Sequence, residues 1–453
     1  MQDVLNYIAE HHDQHLKHLA DFLAIPSVST DKQHVPDVAH CADWLADYLR
    51  GIGLNNVVTE ATAGHPIVYG EWLEAGPDKP TVLFYGHYDV QPVDPIDLWT
   101  QPPFEPTIRD GKIYARGATD DKGQVFLHIA ALESHLKTNG ALPVNVKVLI
   151  EGEEEIGSPN LTPFLEQHSE RLACDTVVIS DTAMYAPEMP SIGYGLRGLA
   201  YMEVTVQGPN RDLHSGSFGG AVANPANVLA GIIARLKDDF GRITVPGFYD
   251  DVLALSEEER AEFARLPWSE EKYCAELNIP HTYGEFGYTT LERLWARPTL
   301  DVNGMWSGFT GEGAKTVLPA KASAKISMRL VPNQDWRDIS TKFERYVRAI
   351  APPTVKVEVT SHHGGNPALT PVDSPGVQAA MRALEQAYGV KPYLKREGGS
   401  IPIVLTFQQI LSAPVVLMGF GLETENLHSP DEHFDLSNFR RGIEATACFY
   451  AEL

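Results

Sequence analysis

Short apolar runs in the first and last parts of the chain have the length and composition of strands that are buried on both faces. These runs are residues 81–85, 144–150, 176–179 and 414–418. Helix-like stretches lie beside them at residues 36–51, which start with a Pro and end with a Gly, and at residues 123–138. Strands that alternate with helices predict an α/β fold in which helices sandwich a mostly parallel sheet.

The middle of the chain follows a different pattern. Strand-like and helix-like segments occur there in the order β-α-β-β-α-β, the split βαβ arrangement. They are residues 199–207, 225–237, 300–306, 322–331, 336–350 and 354–360. The Glu- and Leu-rich residues 241–298 interrupt this order and predict added helices.

The change of pattern predicts two domains, which a chain of 453 residues also favours. A smaller α+β domain, residues 198–362, would be inserted into a larger α/β domain made of residues 1–197 and 363–453. Domain junctions usually lie in exposed segments rich in Gly and Pro. Residues 191–195 and 363–367 have this composition and are the predicted junctions.

The overall charge argues against two classes of partner. The 36 basic and 60 acidic side chains give a formal net charge of −24, which disfavours nucleic acids and anionic membranes. No apolar stretch is long enough to cross a bilayer, and residues 1–23 lack the pattern of a signal peptide. The cysteines form no CxxC pair, which favours free thiols in a cytoplasmic protein. They are Cys41, Cys174, Cys274 and Cys448.

Acids and histidines follow each of the predicted buried strands. The first strand leads to His87, the second to residues 151–155, the third to Asp181 and the fourth to His428. In open α/β sheets, ligand sites lie beyond the carboxyl ends of the strands, so these side chains are expected at one edge. The loop of residues 116–123, which carries Asp120, lacks an obvious strand before it.

Carboxylates gathered at one edge would repel one another and raise their pKa values, and a divalent cation removes that repulsion. Imidazole and carboxylate ligands suit zinc, with manganese or cobalt as alternatives. Each motif alone also has an ordinary interpretation: a polar residue for His87, a solvated loop for residues 151–155, a helix start for Asp120, a cap for Asp181. The placement of all of them after strands favours a catalytic metal site.

Six motifs resemble those of the co-catalytic metallopeptidases, which include carnosinase, cytosolic dipeptidases, aminoacylase and glutamate carboxypeptidases. The resemblance is closest to the carnosinase-type dipeptidase branch, and the motifs span most of the chain in the family's order. They are residues 86–92, 110–123, 151–158, 194–198, 212–216 and 396–402. Ala115 departs from the Gly that is common in the second motif.

The resemblance implies two divalent metal ions per subunit. Asp120 would bridge them, His87 and Asp181 would bind one ion, and Glu155 and His428 would bind the other. The resemblance also implies a cis peptide bond after the bridging Asp120.

It further implies that Glu154 is the general base and that Asp89 accepts a hydrogen bond from the far nitrogen of His87 and fixes its tautomer. The run of three glutamates contains one acid more than the mechanism needs. A register error of one residue there would exchange the base and the ligand.

The inserted domain carries the dimer interface in the resembling enzymes and acts as a lid. His214 would enter the partner's active site and stabilise the oxyanion, and Asn303 would help there. Arg329 would bind the C-terminal carboxylate of the substrate, together with Gly399 and Ser400. The ordinary alternatives are a turn residue for His214 and an exposed strand residue for Arg329.

These residues predict a hydrolase that cuts the peptide bond of dipeptides or short peptides. Metal-activated water would attack the carbonyl carbon while the glutamate base takes its proton. An N-acyl-amino-acid deacylase on the same scaffold is the first alternative. A catalytically inactive interaction protein that keeps the fold is the second, and the complete set of expected ligands disfavours it.

Overall fold

The computed structural model describes residues 1–399 and 402–453. The chain forms two compact units. Unit 1 comprises Met1–Tyr194, Thr370–Leu394 and Thr406–Leu453, and unit 2 comprises Gly195–Leu369 and Lys395–Leu405. Residues 395–405 thus group with the smaller unit, whereas the sequence pattern assigned them to the larger domain.

The regular elements of the described residues are fifteen helices and eighteen strands. The helices are α1 (Gln2–Glu10), α2 (His12–Leu23), α3 (Val35–Ile52), α4 (Lys122–Asn139), α5 (Leu161–Gln167), α6 (Ser169–Leu172), α7 (Ser215–Phe218), α8 (Pro225–Ala234), α9 (Glu257–Ala264), α10 (Glu270–Glu276), α11 (Thr290–Trp295), α12 (Trp336–Ile350), α13 (Pro375–Tyr388), α14 (Pro402–Leu411) and α15 (Leu436–Glu452). The strands are β1 (Asn55–Glu60), β2 (Ile67–Trp72), β3 (Thr81–His87), β4 (Thr107–Arg109), β5 (Lys112–Tyr114), β6 (Asn145–Glu151), β7 (Thr176–Ile179), β8 (Ser191–Leu196), β9 (Gly198–Gln207), β10 (Leu213–His214), β11 (Thr299–Ser307), β12 (Val317–Leu318), β13 (Lys321–Leu330), β14 (Lys356–Gly365), β15 (Ala368–Leu369), β16 (Tyr393–Glu397), β17 (Val415–Leu417) and β18 (His433–Asp435).

The main sheet of unit 1 has the order β1-β2-β6-β3-β7-β17-β8. Its four central strands, β6, β3, β7 and β17, run parallel, and the strands on either side pair antiparallel. Every residue of β6 is buried, as are all residues of β3 after Thr81, which explains their continuous apolar sequences. The predicted α/β fold is confirmed, with the parallel part of the sheet limited to these four strands.

Helix α4 lies at the centre of unit 1. Its first fourteen residues, 122–135, are all buried, and it packs against β3, α1 and α15. Gly140 ends it in a left-handed conformation, with φ of 66°, that glycine adopts without a steric penalty. The loop that carries Asp120 therefore continues directly into a helix that the core of unit 1 surrounds.

The junction at residues 194–195 differs from the prediction. Residues 191–196 form β8, and all six are buried. The expectation of an exposed linker at residues 191–195 is therefore wrong. The glycines lie in a strand against which other side chains pack closely. A Cβ atom on Gly195, for example, would lie 3.0 Å from Cγ of Arg396.

Unit 2 contains a four-stranded antiparallel sheet in the order β11-β13-β9-β14. Helices α8 and α12 cover one face, and their Leu229, Ile232, Phe343 and Val347 pack against apolar residues of β9 and β13. The chain order of these six elements is β-α-β-β-α-β, which confirms the predicted split βαβ arrangement. The interrupting residues 241–298 contain the short helices α9, α10 and α11.

Candidate metal centre and substrate-contact residues

The parallel strands of unit 1 bring their carboxyl ends to one edge of the sheet. His87 is the last residue of β3, and Asp181 follows the end of β7 by two residues. Residues 152–155 continue from β6, and the chain after β17 leads to His428. The four strands are neighbours in the sheet, so residues from distant parts of the sequence meet there.

The first ligand set consists of His87, Asp120 and Asp181. The candidate ligand atoms of the three residues all lie within 4.8 Å of one another. The Nε2 atom of His87 lies 3.2 Å from Oδ1 of Asp120 and 3.8 Å from Oδ2 of Asp181. His87 is fully buried, and Asp181 is partly exposed.

The second ligand set consists of Asp120, Glu155 and His428, again within 4.8 Å. The Nε2 atom of His428 lies 2.8 Å from Oδ2 of Asp120 and 3.5 Å from Oε2 of Glu155. Asp120 therefore belongs to both sets and directs one carboxylate oxygen to each. A cation position on either side of one carboxylate is the arrangement expected for a bridging ligand.

The electrostatics of these sets favour a bound cation. Burial and the neighbouring Asp120 raise the pKa of Glu155 to about 8. Burial opposes ionisation of Asp120 too, but hydrogen bonds with His428 and His87 hold its pKa below the usual value. The hydrogen bond with Asp120 raises the pKa of His428 to about 9. A divalent ion bound between these groups would offset the charge of the carboxylates.

The donor set fits divalent ions. It contains two imidazoles and three carboxylates, and no thiolate belongs to either set within the described residues. The Oε1 atom of Glu155 is buried and has no hydrogen-bond partner in the described part of the chain, although Oε2 accepts from Nε2 of Gln91 at 2.7 Å. A buried carboxylate oxygen without a partner is costly, and a cation would satisfy it.

The three consecutive glutamates have three different environments. Oε1 of Glu153 accepts the backbone N–H of His65 at 3.1 Å, and Oε2 accepts from Asn160 at 2.7 Å. Glu155 belongs to the second ligand set. Glu154 lies between them, and burial raises the pKa of its carboxyl group above the usual value.

Asp89 supports the site in two ways. The Nδ1 atom of His87 lies 3.0 Å from the backbone oxygen of Asp89 and 3.4 Å from its Oδ1 atom. The closer contact is with the carbonyl group, which fixes the His87 tautomer with Nδ1 protonated and Nε2 free to bind a metal. The carboxylate of Asp89 accepts the backbone N–H groups of Glu154 at 3.2 Å and Glu155 at 3.1 Å.

The loop before α4 has the backbone feature that the resemblance implies. The Asp120–Asp121 peptide bond is cis. The side chain of Asp121 is buried, and its Oδ2 atom accepts the backbone N–H of His87 at 3.3 Å. The loop also follows a strand that the sequence did not reveal, because β5 has only three residues and pairs with β4 and β18 in a separate small sheet.

Three of the predicted substrate-contact residues, Arg329, Asn303 and Gly399, belong to unit 2. Arg329 lies on β13 between Leu199 of β9 and Thr299 of β11 and is half-buried. The sequence analysis gave no role to Arg197. Its Nε atom donates to the carbonyl oxygen of Gly398 at 3.0 Å, and its backbone N–H donates to the carbonyl oxygen of Gly399 at 3.2 Å.

Arg197 and Arg329 lie near enough to interact. Burial, and then the charge of Arg329, lower the pKa of Arg197 to about 10. Arg197 therefore holds the segment with Gly399 and also lies near the charge of Arg329. Ser400 lies outside the described residues.

His214 and Asn303 both occupy exposed positions of unit 2. His214 ends β10, and its Nδ1 atom accepts the backbone N–H of Gly216 at 3.0 Å. A neutral imidazole that accepts at Nδ1 carries its proton on Nε2, so the outer ring nitrogen of His214 is a donor. Asn303 lies on β11 where the register with β13 shifts between Val302 and Gly304.

Two candidate ligand sets that share one carboxylate at the carboxyl edge of a parallel sheet are the arrangement expected of a dinuclear metallohydrolase. Comparison with known proteins makes the class specific: the chain belongs to Peptidase family M20/M25/M40, which matches residues 83–452. It is therefore a metal-dependent peptidase.

Similar proteins include the Cys-Gly metallodipeptidase of Schizosaccharomyces pombe, which is 34% identical over 97% of this chain and 96% of that protein. The Beta-Ala-His dipeptidase of Homo sapiens is 33% identical over 100% of this chain and 92% of its own length. Among solved structures, an M20 family metallo-carboxypeptidase from Sulfolobus solfataricus is similar, with 35% identity and a TM-score of 0.80. That match covers 96% of this chain and 98% of the other.

No helix among residues 1–399 and 402–453 combines the length and the apolar character that crossing a membrane requires. The four cysteines are free thiols, as expected, and Cys41 and Cys448 are buried.

Proposed function

We propose that this protein hydrolyses the peptide bond of dipeptides or short peptides with two divalent ions, zinc being the ion that the ligands suit best. The observation that carries the proposal is the pair of ligand sets that share Asp120. The similar proteins that bear dipeptidase names support a peptide substrate over an N-acyl amino acid.

Asp120 would bridge the ions, with His87 and Asp181 on one and with Glu155 and His428 on the other. When bound, the ions lower the pKa of a water molecule and polarise the substrate carbonyl group. The different partners of the three glutamates favour this register, since the carboxylate of Glu153 is already occupied by His65 and Asn160.

Glu154 would act as the general base. Burial raises the pKa of its carboxyl group above the usual value, which makes the carboxylate a better proton acceptor. Its backbone is held by Asp89, which also accepts the N–H of the ligand Glu155. Glu154 would accept the proton of the attacking water and pass it to the leaving amine.

His214 would donate from Nε2 to the oxygen that becomes negative in the transition state, and Asn303 would assist. The contact between Nδ1 of His214 and Gly216 leaves the proton on the nitrogen that this role requires. Arg329 would bind the terminal carboxylate of the substrate with its planar guanidinium group. Gly399 and Ser400 would add donors to the same carboxylate.

The resemblance implies that His214 would enter the active site of a partner subunit, so we propose a homodimer formed by the inserted domain. Strand β11 supports this assembly because it is an edge strand with exposed apolar side chains, Val302, Met305 and Trp306. Such an edge readily pairs with another strand. The opposite edge strand β14 exposes the polar Lys356, Glu358 and Thr360. The free thiols support a cytoplasmic location.

A hydrolysis panel with metal analysis tests the proposal. The full-length protein is assayed on dipeptides and on N-acyl amino acids, and its bound metal is measured. Two ions per subunit with cleavage of dipeptides is the expected result. Cleavage of acyl substrates alone would make it a deacylase, and neither metal nor turnover would make it an inactive relative. Light scattering of the protein and its Trp306→Lys variant tests the dimer, which the variant should weaken.

A further inference from the structure

Glu432 is a fully buried carboxylate that lies four residues after His428 on the same loop. Its two oxygens receive four hydrogen bonds from the loop that carries Asp120. Oε2 accepts from Nη1 of Arg116 at 2.7 Å and from the N–H of Gly117 at 3.0 Å. Oε1 accepts from the N–H groups of Thr119 at 3.0 Å and of Asp120 itself at 3.1 Å.

These contacts close a ring through both halves of the second ligand set. Asp120 is held at its backbone nitrogen by Glu432, and its Oδ2 atom lies 2.8 Å from Nε2 of His428. His428 is in turn connected to Glu432 through the three intervening residues of the chain, 429–431. One carboxylate therefore fixes the position of the shared ligand relative to a ligand on another segment.

The loop of His428 needs such support. His428 has a φ of 59°, and Asn426 and Asp431 also have positive φ values, of 59° and 58°. This backbone region is unfavourable for residues other than Gly and persists where the surroundings impose it. The carboxylate of Asp431 accepts the N–H of Thr100 at 2.8 Å, which holds the loop at one further point.

We propose that Glu432 is a positioning residue of the metal centre, which sets the distance between Asp120 and His428 and so the affinity for the ion that they share. The inference rests on the proposed function, in which Asp120 is the bridging ligand. Glu432 itself faces the backbone of the Asp120 loop and lies outside both ligand sets. Its effect would pass through Asp120.

The variant Glu432→Gln tests this role. Each oxygen of Glu432 accepts two hydrogen bonds, and Gln replaces one of these oxygens with an NH2 group. Whichever position the NH2 group takes, two N–H donors lose their acceptor. Residues that support metal ligands in this indirect way typically change metal affinity by about 10- to 100-fold. We expect the metal-free variant to bind Co²⁺ at least about 10-fold more weakly and to show a changed visible spectrum when saturated.

The measurement is a Co²⁺ titration of the metal-free full-length protein, followed by visible absorption. The control is Glu133→Gln, because Glu133 is also a buried carboxylate of unit 1 but accepts from Tyr48, away from the ligand sets. Thermal unfolding of the metal-free proteins separates the effect on the site from an effect on the fold. If Glu432→Gln does not fold, Glu432→Asp is tested instead. Asp keeps the negative charge next to Arg116, but its shorter side chain cannot accept all four hydrogen bonds.

Wild-type affinity and an unchanged spectrum in the folded Glu432 variant would overturn the inference and leave the proposed function intact. Failure of the wild-type protein to bind two Co²⁺ ions would overturn the proposed function, and the inference with it. Equal losses in the Glu432 and Glu133 variants would show that any buried carboxylate of unit 1 has this effect, which also overturns the inference.

Discussion

The candidate ligands of unit 1 and the candidate substrate contacts of unit 2 differ in how firmly they are held. His87 and Asp120 are buried, and each has defined partners within its own unit. His214 and Asn303 are exposed on strands of unit 2. A metal site needs fixed distances before its ion arrives, whereas a group that contacts substrate has to admit and release it. Under the proposed function, unit 1 would hold the ions and the general base, and unit 2 would contribute the groups that contact the substrate.

The largest effect is expected from Glu154→Gln in unit 1. The amide keeps the size of the side chain but cannot take a proton from water, so kcat should fall by about 10²- to 10⁴-fold. The two metal ions should stay bound, because Glu154 belongs to neither ligand set. Steady-state kinetics and metal analysis of the same preparation measure both quantities.

The adjacent glutamate is the matched control for this change. Glu153→Gln alters a carboxylate that contacts His65 and Asn160, so its kcat should stay within a few-fold of the wild-type value. Near-normal turnover of Glu154→Gln, or loss of activity in Glu153→Gln, would contradict the assignment of Glu154 as the base.

A smaller effect is expected from His214→Ala in unit 2. Loss of one donor to a transition-state oxyanion costs about 10²- to 10³-fold in kcat. Folding should be unaffected since His214 is exposed, which circular dichroism checks. His362→Ala removes another exposed imidazole of unit 2 and serves as the control. If the two variants have the same kcat, His214 has no role in the chemistry.

A change in binding is expected from Arg329→Lys. A lysine keeps the charge but loses the two-pronged contact with a carboxylate, so KM should rise by about 10-fold with kcat nearly unchanged. The wild-type preference for a free dipeptide over its C-terminal amide should shrink in the same variant. Arg337→Lys, on α12 of the same unit, is the control. A KM that does not move, or a fall in kcat alone, would place Arg329 elsewhere in the mechanism.

The smallest expected effect concerns the acid stability of unit 1, away from the site. Burial lowers the pKa of His15 from 6.5 to about 4. Between these values the unfolded state binds more protons, so the free energy of unfolding falls as the pH drops, by at most about 3 kcal/mol. His15→Leu should remove this loss and flatten the pH dependence between pH 6.5 and 4.

Urea unfolding at several pH values measures the effect of His15→Leu. His40→Leu, at an exposed position of α3, controls for the removal of an imidazole in general. An unchanged slope in His15→Leu would assign the acid sensitivity of unit 1 to other groups.

The sequence predicted the elements whose pattern is local. Strands β3, β6, β7 and β17 are continuous apolar runs because both of their faces are covered, and such runs are visible without any knowledge of the fold. The candidate ligands could be proposed for the same reason, since each one follows such a run or lies in a motif with a strong family resemblance. The bounds of α12, residues 336–350, were also predicted without error.

The contacts between distant segments could not be predicted from the chain. Glu432 binds a loop more than 300 residues earlier, and Arg197 binds Gly398 after a separation of 201 residues. Nothing in the local sequence of Glu432 distinguishes a buried anchor from a surface charge. Arg197 lies in the resembling motif of residues 194–198, but the motif does not reveal its contact with Gly398. The buried strand β8 was taken for an exposed junction because Gly is typical of both a linker and a crowded strand.

The position of β17 in the main sheet has a consequence for how the protein is made on the ribosome. This strand pairs with β7 although more than 230 residues separate the two. During synthesis, the edge of β7 that pairs with β17 therefore stays unpaired while all of residues 195–369 emerge and fold. His428 and Glu432 leave the ribosome later still. The candidate metal centre can therefore form only after β17 has been made. A circular permutation that brings β17 closer to β7 in the sequence should reduce the time during which the open edge can aggregate.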